Sequence, residues 1–342
     1  MRHHPNRFVN ATVLALAAVV VPAHAQSYHV ARTFTLGGDG GWDYVALDTV
    51  GHRLFVARQD RVMVIDPASG KLLAEIPGLN RAHGVAFSYA TGKGFATSGG
   101  DSSVVVFDLK TLQVLGRTVA AVDADAVLFD PATKHIFTFN GDAGSSSVID
   151  AASGRSIGSV DLGGKPEFGV STGTGMLFAN IEDSSEVVEI DAAAMKVTRR
   201  WKLAPCESPT GLAIDRAHGV LFSGCRSGVM AISDANTGKL ITTVPIGQGV
   251  DAARFDPATQ LAFASNGEGS ITVIHEDAPD KFTVVGTVPT KRGARTMELD
   301  LKTHRIFTVT ADFGPPPAPT PDRPRPRPPV LPGTFALLEL DP

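Results

Sequence analysis

Apolar residues in this chain come in runs of about five, separated by clusters of Gly, Asp, Ser and Thr, and nowhere at a helical period. Residues 82–119 show the pattern well. A β-prone run at 84–88 is followed by a turn at 89–93, and a second strand forms around Phe95. Residues 98–101 turn, 103–107 make a Val-rich third strand, 108–111 turn again, and 113–119 form a fourth. The unit then repeats. Phe55, Phe95, Phe137, Phe178, Phe222, Phe263 and Phe307 recur at steps of 40, 42, 41, 44, 41 and 44 residues. Seven residues before each stands Asp48, Ser88, Asp130, Ser171, Asp215, Asp256 or Asp300. Several units end on an apolar residue and Asp, as in Ile65-Asp66, Phe107-Asp108, Ile149-Asp150 and Ile190-Asp191.

Four short strands per 40-odd residues describe one antiparallel propeller blade. No such unit buries its apolar face alone, so neighbours must stack. The pattern predicts an all-β fold, a seven-bladed β-propeller of four-stranded antiparallel blades, whose closure removes exposed sheet edges. The last unit is split: after Phe307 only one further strand remains, 334–340. Residues 30–36 have the pattern of a fourth strand. We expect these two segments to pair and close the ring.

The strand around each Phe resembles the tyrosine-valine-threonine-asparagine core of the YVTN-repeat propellers, the YncE-like exported proteins. Phe263-Ala264-Ser265-Asn266 and Phe137-Thr138-Phe139-Asn140 match best. Ser98, Thr310 and Cys225 stand where the family has Asn. The resemblance covers the whole chain after residue 25. It implies a seven-bladed exported propeller, among relatives that include binding proteins, scaffolds and lyase- or lactonase-like enzymes. Trp42-Asp43 spells the signature of another propeller family but occurs once. Quinone-binding propellers carry a Trp in each blade, whereas this chain has only Trp42 and Trp201. With no Gly-rich phosphate loop either, neither a quinone nor a nucleotide cofactor is expected.

The first 25 residues stand outside the repeat. Arg2 and Arg7, an apolar run at 8–21 and Ala23-His24-Ala25 have the layout of a secretory signal peptide cleaved after Ala25. This predicts a periplasmic or secreted protein, with residues 26–342 forming a single propeller domain. No later stretch is apolar for long enough to span a membrane. The whole chain carries 31 basic and 35 acidic side chains, so without Arg2 and Arg7 the balance is 29 against 35. That mildly acidic balance argues against broad nucleic-acid binding. In an oxidising compartment Cys206 and Cys225, the two cysteines, are expected to form a disulfide.

Candidate chemistry comes from register. Twelve residues before each Phe, at the lead-in to the first strand, stand Asp43, His83, Asp125, Pro166, Thr210, Asp251 and Arg295, with Glu167 next to Pro166. In the family this position is often basic or a histidine; here it is mainly acidic. In a propeller these positions share the top face, at the mouth of the central channel. Converging carboxylates repel unless a proton, a cation or an Arg compensates them. Three readings fit. Asp43, Asp125, Glu167 and Asp251 hold a divalent cation, with His83 as a nitrogen ligand. Alternatively His83, Asp125 and Glu167 form an acid/base site. Or the ring is a solvated rim paired with Arg295. Arg58 and Arg226, in connections on the same face, add candidate contacts to an anionic ligand, and Trp42 and Tyr44 a candidate apolar wall. The remaining insertion is a Pro-rich loop at 314–333 carrying Arg323, Arg325 and Arg327, either a flap over the mouth or a docking segment for another exported protein.

These observations predict an exported propeller that binds a small molecule or partner protein at the top-face mouth. A metal-assisted lyase- or lactonase-like enzyme is the alternative, and a protein-interaction scaffold the third.

Overall fold

The computed structural model describes Met1 and residues 28–320 and 326–342. The expected leader, apart from Met1, lies outside the described residues, as do Arg323 and Arg325. Seven four-stranded antiparallel sheets form a ring. Blades I to VI span residues 45–77, 82–119, 124–161, 166–202, 209–245 and 250–289. Blade VII combines Met297–Asp300, Arg305–Thr310 and Ala336–Asp341 with His29–Thr35 as its outermost strand. The expected closure is present: His29 pairs with Asp341 and Thr35 with Ala336. The innermost strands neighbour one another all the way round, including Val45–Asp48 against Met297–Asp300. One turn of 3-10 helix, Gly99–Asp101, is the helical structure among the described residues.

The seven recurring phenylalanines explain the repeat. All are buried between neighbouring sheets. Each contributes on the order of 150–250 Å² of apolar surface, which a single blade could not cover alone. Phe55 packs edge-on against Phe87 of the next blade, with ring centroids 4.9 Å apart, and Phe222 stacks on Phe255 at 5.2 Å. Central-channel walls demand close backbone approach as well. A Cβ on Gly211 would lie 2.5 Å from the backbone of blade VI, so only glycine fits there.

The outermost strands show why the third and fourth strands read differently. His29–Thr35 and Lys196–Lys202 alternate exposed and half-buried positions, as expected of a sheet edge with one wet face. Cys206 and Cys225 form the expected disulfide, tying the lead-in of blade V to the end of its second strand.

Candidate functional site

Local backbone geometry places the lead-in residues. In blades II to VI the first strand carries a register shift at its start: Ala82/Val85, Ala124/Val127, Pro166/Gly169, Pro209/Leu212 and Val250/Ala252. One extra residue there breaks the strict in–out alternation and re-aims a side chain into the channel. His83, Asp125, Glu167, Thr210 and Asp251 all fall within these bulges. Just ahead of them, Arg81, Asp123, Ser208 and Gly249 adopt left-handed backbone, with φ of 54°, 60°, 49° and 71°. Polar side chains of adjacent blades then hold the carbonyls of these segments. Thr97 donates to Asp125 O at 2.5 Å, Asn180 to Thr210 O at 2.9 Å, Thr210 to Val250 O at 2.9 Å and Thr296 to Asp43 O at 3.0 Å.

The result is a polar cup of about 360 Å³. Asp43, Asp125, Glu167, Asp251, Arg226 and Arg295 line it. Arg81, Asp123, Lys165 and Tyr44 join them. His83 stands behind the carboxylates. Its Nδ1 is 2.6 Å from Asp43 Oδ2 and 3.4 Å from Asp125 Oδ1. The other edge of the ring lies against Gly99, where a Cβ would come within 2.9 Å of Nε2, and Nε2 is buried with no hydrogen-bond partner among the described residues. Asp43, His83 and Asp125 each bring one ligand-capable atom within 4.8 Å of the others. Glu167 and Asp251 are not part of that close group. Of the four carboxylates expected to hold a cation, Asp43 and Asp125 therefore meet His83, while Glu167 and Asp251 stand farther round the wall.

Cations compensate the wall unevenly. Arg295 Nε donates to Asp251 at 2.6 Å, and its Nη2 is 3.9 Å from Asp43. Arg81 meets Asp123 at 3.0 Å. Arg226 pairs with Glu182, which Lys165 also approaches at 3.2 Å. Among the described residues, Glu167 has only the outer reach of Arg226, at 3.7 Å, and Asp125 Oδ1 has no hydrogen-bond partner. Burial pushes the Glu167 carboxyl up to about 8, and the neighbouring charges of Asp251 and Glu182 add to it. Burial also holds Asp125 well above the usual carboxylate range, reinforced by Asp43 and Glu167. Asp251 rises for the same first reason, partly offset by Arg295. Burial and the surrounding carboxylates push the Tyr44 phenol well above its ordinary value.

The cup has a floor. The rings of Tyr44, ahead of blade I, and Phe168, in blade IV, lie 5.3 Å apart. These blades face each other across a seven-membered ring, so the aromatic pair fills the channel under the carboxylates. At the channel's other end a cavity of about 290 Å³ is lined by Leu128, Phe168, Leu212, Ile214, Phe255 and Leu299. Arg254 and Glu298 form an ion pair there at 2.9 Å. Register counting pointed to the acidic end and missed this one, where Arg216 and Ser171 also line the wall.

Two expected members lie elsewhere. Arg58 is fully buried, and its guanidinium donates to the carbonyls of Gly37, Gly38, Asp39, Gly40 and Gly41 at 2.8–3.3 Å. It also stacks on Phe335 at 3.7 Å. Burial pushes its pKa down to about 10. Arg58 thus shapes the segment leading into Asp43 and does not reach the cup. Trp42 turns away to pack on Phe335 and Phe313, leaving Tyr44 as the aromatic wall. The Pro-rich insertion is anchored by a bridge between Phe313 and Val330, and its Arg327 lines the cup.

At the level of sequence, no family model and no curated protein matches this chain. Among solved structures, the Kuenenia stuttgartiensis hydrazine synthase superposes with a TM-score of 0.70, over 80% of this chain and 94% of that one. Identity is 14%, so this likeness shows the propeller fold alone. No helix among the described residues is long and apolar enough to cross a membrane. The disulfide fits an oxidising compartment.

Proposed function

We propose that this chain is an exported, YVTN-type propeller that binds a small molecule, or a side chain of a partner protein, in the top-face cup. The bound group is a hydrogen-bond donor or a cation. One observation carries this reading: among the described residues, the buried carboxyls of Asp125 and Glu167 face the cup with no charged partner closer than His83 at 3.4 Å and Arg226 at 3.7 Å. An ammonium, guanidinium or metal ion supplies what they lack, and the aromatic floor blocks passage beyond them. Propeller folds commonly bind ligands at this position, and the disulfide and the candidate leader support export.

A second reading has its own support. Asp43, His83 and Asp125 could together take a divalent cation, since their donor atoms lie within 4.8 Å of one another. With Glu167 as a proton carrier tuned near neutral pH, the cup would then be the site of metal-assisted lyase- or lactonase-like chemistry.

Calorimetric titration of the purified protein separates these readings. The probes are putrescine, agmatine, Ca²⁺, Mn²⁺ and Zn²⁺. Saturable binding of a diamine that weakens at least tenfold in both Asp125→Asn and Glu167→Gln supports the first. Loss of one equivalent of metal in Asp125→Asn, with that equivalent retained in Glu167→Gln, supports the second. No binding of any probe, or binding indifferent to both substitutions, overturns the cup as a site and leaves a scaffold.

A further inference from the structure

The opposite face of the ring holds a second polar cluster, at the junction of blades V and VI. Asp215 ends the strand Pro209–Asp215, and His218 sits in the turn that follows. Glu276 comes from the third strand of blade VI. In blades II to V that strand ends on Asp108, Asp150, Asp191 and Asp234, each of which accepts hydrogen bonds from its own turn. Blade VI departs from the rule. Its third strand, Ser270–Ala278, runs nine residues instead of six, and Glu276 is buried against the neighbouring blade.

The cluster lacks the partners its burial demands. The side chains of Asp215 and Glu276 are 1% and 0% exposed. His218 Nδ1 lies 2.5 Å from Asp215 Oδ2 and 3.0 Å from Glu276 Oε1. One imidazole nitrogen carries one proton and cannot satisfy two carboxylates. His218 Nδ1 is aligned for its hydrogen bond to Glu276 Oε1, and Asp215 accepts from Ala217 N through Oδ1 at 2.9 Å. Among the described residues, Asp215 Oδ2 has only the close, misaligned approach of His218, and Glu276 Oε2 is buried without a hydrogen bond. Two adjacent buried carboxylates with one shared donor are costly unless a cation joins them. The next junction shows what a purely structural version looks like: His304 Nδ1 meets Asp256 Oδ2 at 2.6 Å in a plain pair. The added Glu276 is what turns a pair into a three-donor pocket, and the donor atoms of all three lie within 4.8 Å.

We propose that Asp215, His218 and Glu276 form a divalent transition-metal site between blades V and VI, separate from the cup. One imidazole and two carboxylates suit Zn²⁺ or Mn²⁺ better than Ca²⁺ or Mg²⁺, which prefer all-oxygen shells. Metal bonds of about 2.1 Å need donors roughly 3.4 Å apart, so the turn bearing His218 must open slightly. That turn is exposed and free to do so, and the same exposure leaves room for water as a further ligand. Such a site would clamp two blades together and stabilise the ring by mass action.

The test keeps the cup out of the readout. Zn²⁺ and Mn²⁺ are titrated calorimetrically into the Asp125→Asn protein, and into the same protein carrying His218→Ala or Glu276→Gln. Far-ultraviolet circular dichroism confirms folding, and His218, on an exposed turn, can be replaced without opening the core. We expect one equivalent of metal in Asp125→Asn, a rise in its melting temperature with Zn²⁺, and at least tenfold weaker binding in each double variant. Absence of Zn²⁺ and Mn²⁺ binding in Asp125→Asn overturns the proposal. So does binding that stays within twofold of the parent in either double variant.

Discussion

Replacing Glu167 by Gln should stabilise the protein, and only above a defined pH. The folded carboxyl keeps its proton up to about 8, against an ordinary value of 4.5. Between these limits the folded state binds one more proton than the unfolded state, so stability declines as pH rises through that window. Above it, the ionised carboxylate is held in a buried wall beside Asp251 and Glu182. At about 1.4 kcal/mol per tenfold change in proton affinity, the interval from 4.5 to about 8 corresponds to ~5 kcal/mol in full. Water entry and the reach of Arg226 reduce this, and we expect a gain of ~1–3 kcal/mol at pH 9. Below pH 4.5 both side chains are neutral and nearly the same shape, so the variants should be equal. Urea denaturation at pH 4.5, 7 and 9 measures the difference directly. Equal or lower stability of Glu167→Gln at pH 9, or a gain that does not vary with pH, would refute the electrostatic account of the cup.

Three further outcomes follow from the fold. Removing the disulfide through Cys206→Ala and Cys225→Ala frees a loop with a sequence separation of 19 and should cost ~3 kcal/mol, read from the denaturation midpoint; two titratable thiols in the untreated protein would contradict the bond itself. Deleting the chain through Leu36 removes the outermost strand of blade VII and exposes the edge of Ala336–Asp341, so the melting temperature should fall sharply and aggregation rise, and an unchanged melt would argue against the closure. Arg58→Met keeps the packing on Phe335 but strands five carbonyls of residues 37–41, which should cost ~3 kcal/mol and loosen the lead-in to Asp43; unaltered stability would show that these bonds contribute little.

Much of this architecture is legible in one dimension because a propeller blade is a local object. The Phe period marks a position that every blade must bury against its neighbour, so seven phenylalanines give seven blades and even the strand that crosses from the N-terminal region. The same register brings Asp43, Asp125 and Asp251 to one opening, since a constant offset from a buried anchor is a constant height on the ring, and Glu167 reaches it from one residue farther on. Register could not tell how far each side chain reaches in. His83 stands behind Asp43 and Asp125 because the bulge and Gly99 let its ring lie back against the turn. Arg58 shares the face but is drawn inward by five carbonyls, a pattern that depends on the path of residues 37–41 and leaves no periodic mark. Arg81, Asp123 and Lys165 were findable: they sit two residues ahead of His83, Asp125 and Glu167, where the bulged strand begins. Glu276 was not, because it fills a register position that the other blades bury as Leu109, Ala151, Ala192 or Ala235, where the repeat leads one to expect an apolar residue.

Buried carboxyls that converge on one cup and wait for a donor must titrate together. Carbon-13 NMR of the side-chain carboxyl of Glu-labelled protein, titrated from pH 4 to 10, tests it most directly. One resonance should have a midpoint near 8, be absent in Glu167→Gln and shift to lower pH in Asp251→Asn, as expected where burial is the first cause and Asp251 a neighbouring charge. If Glu167 instead titrates between about 4 and 5 and ignores Asp251, the carboxyls do not converge, and the cup is not the site described.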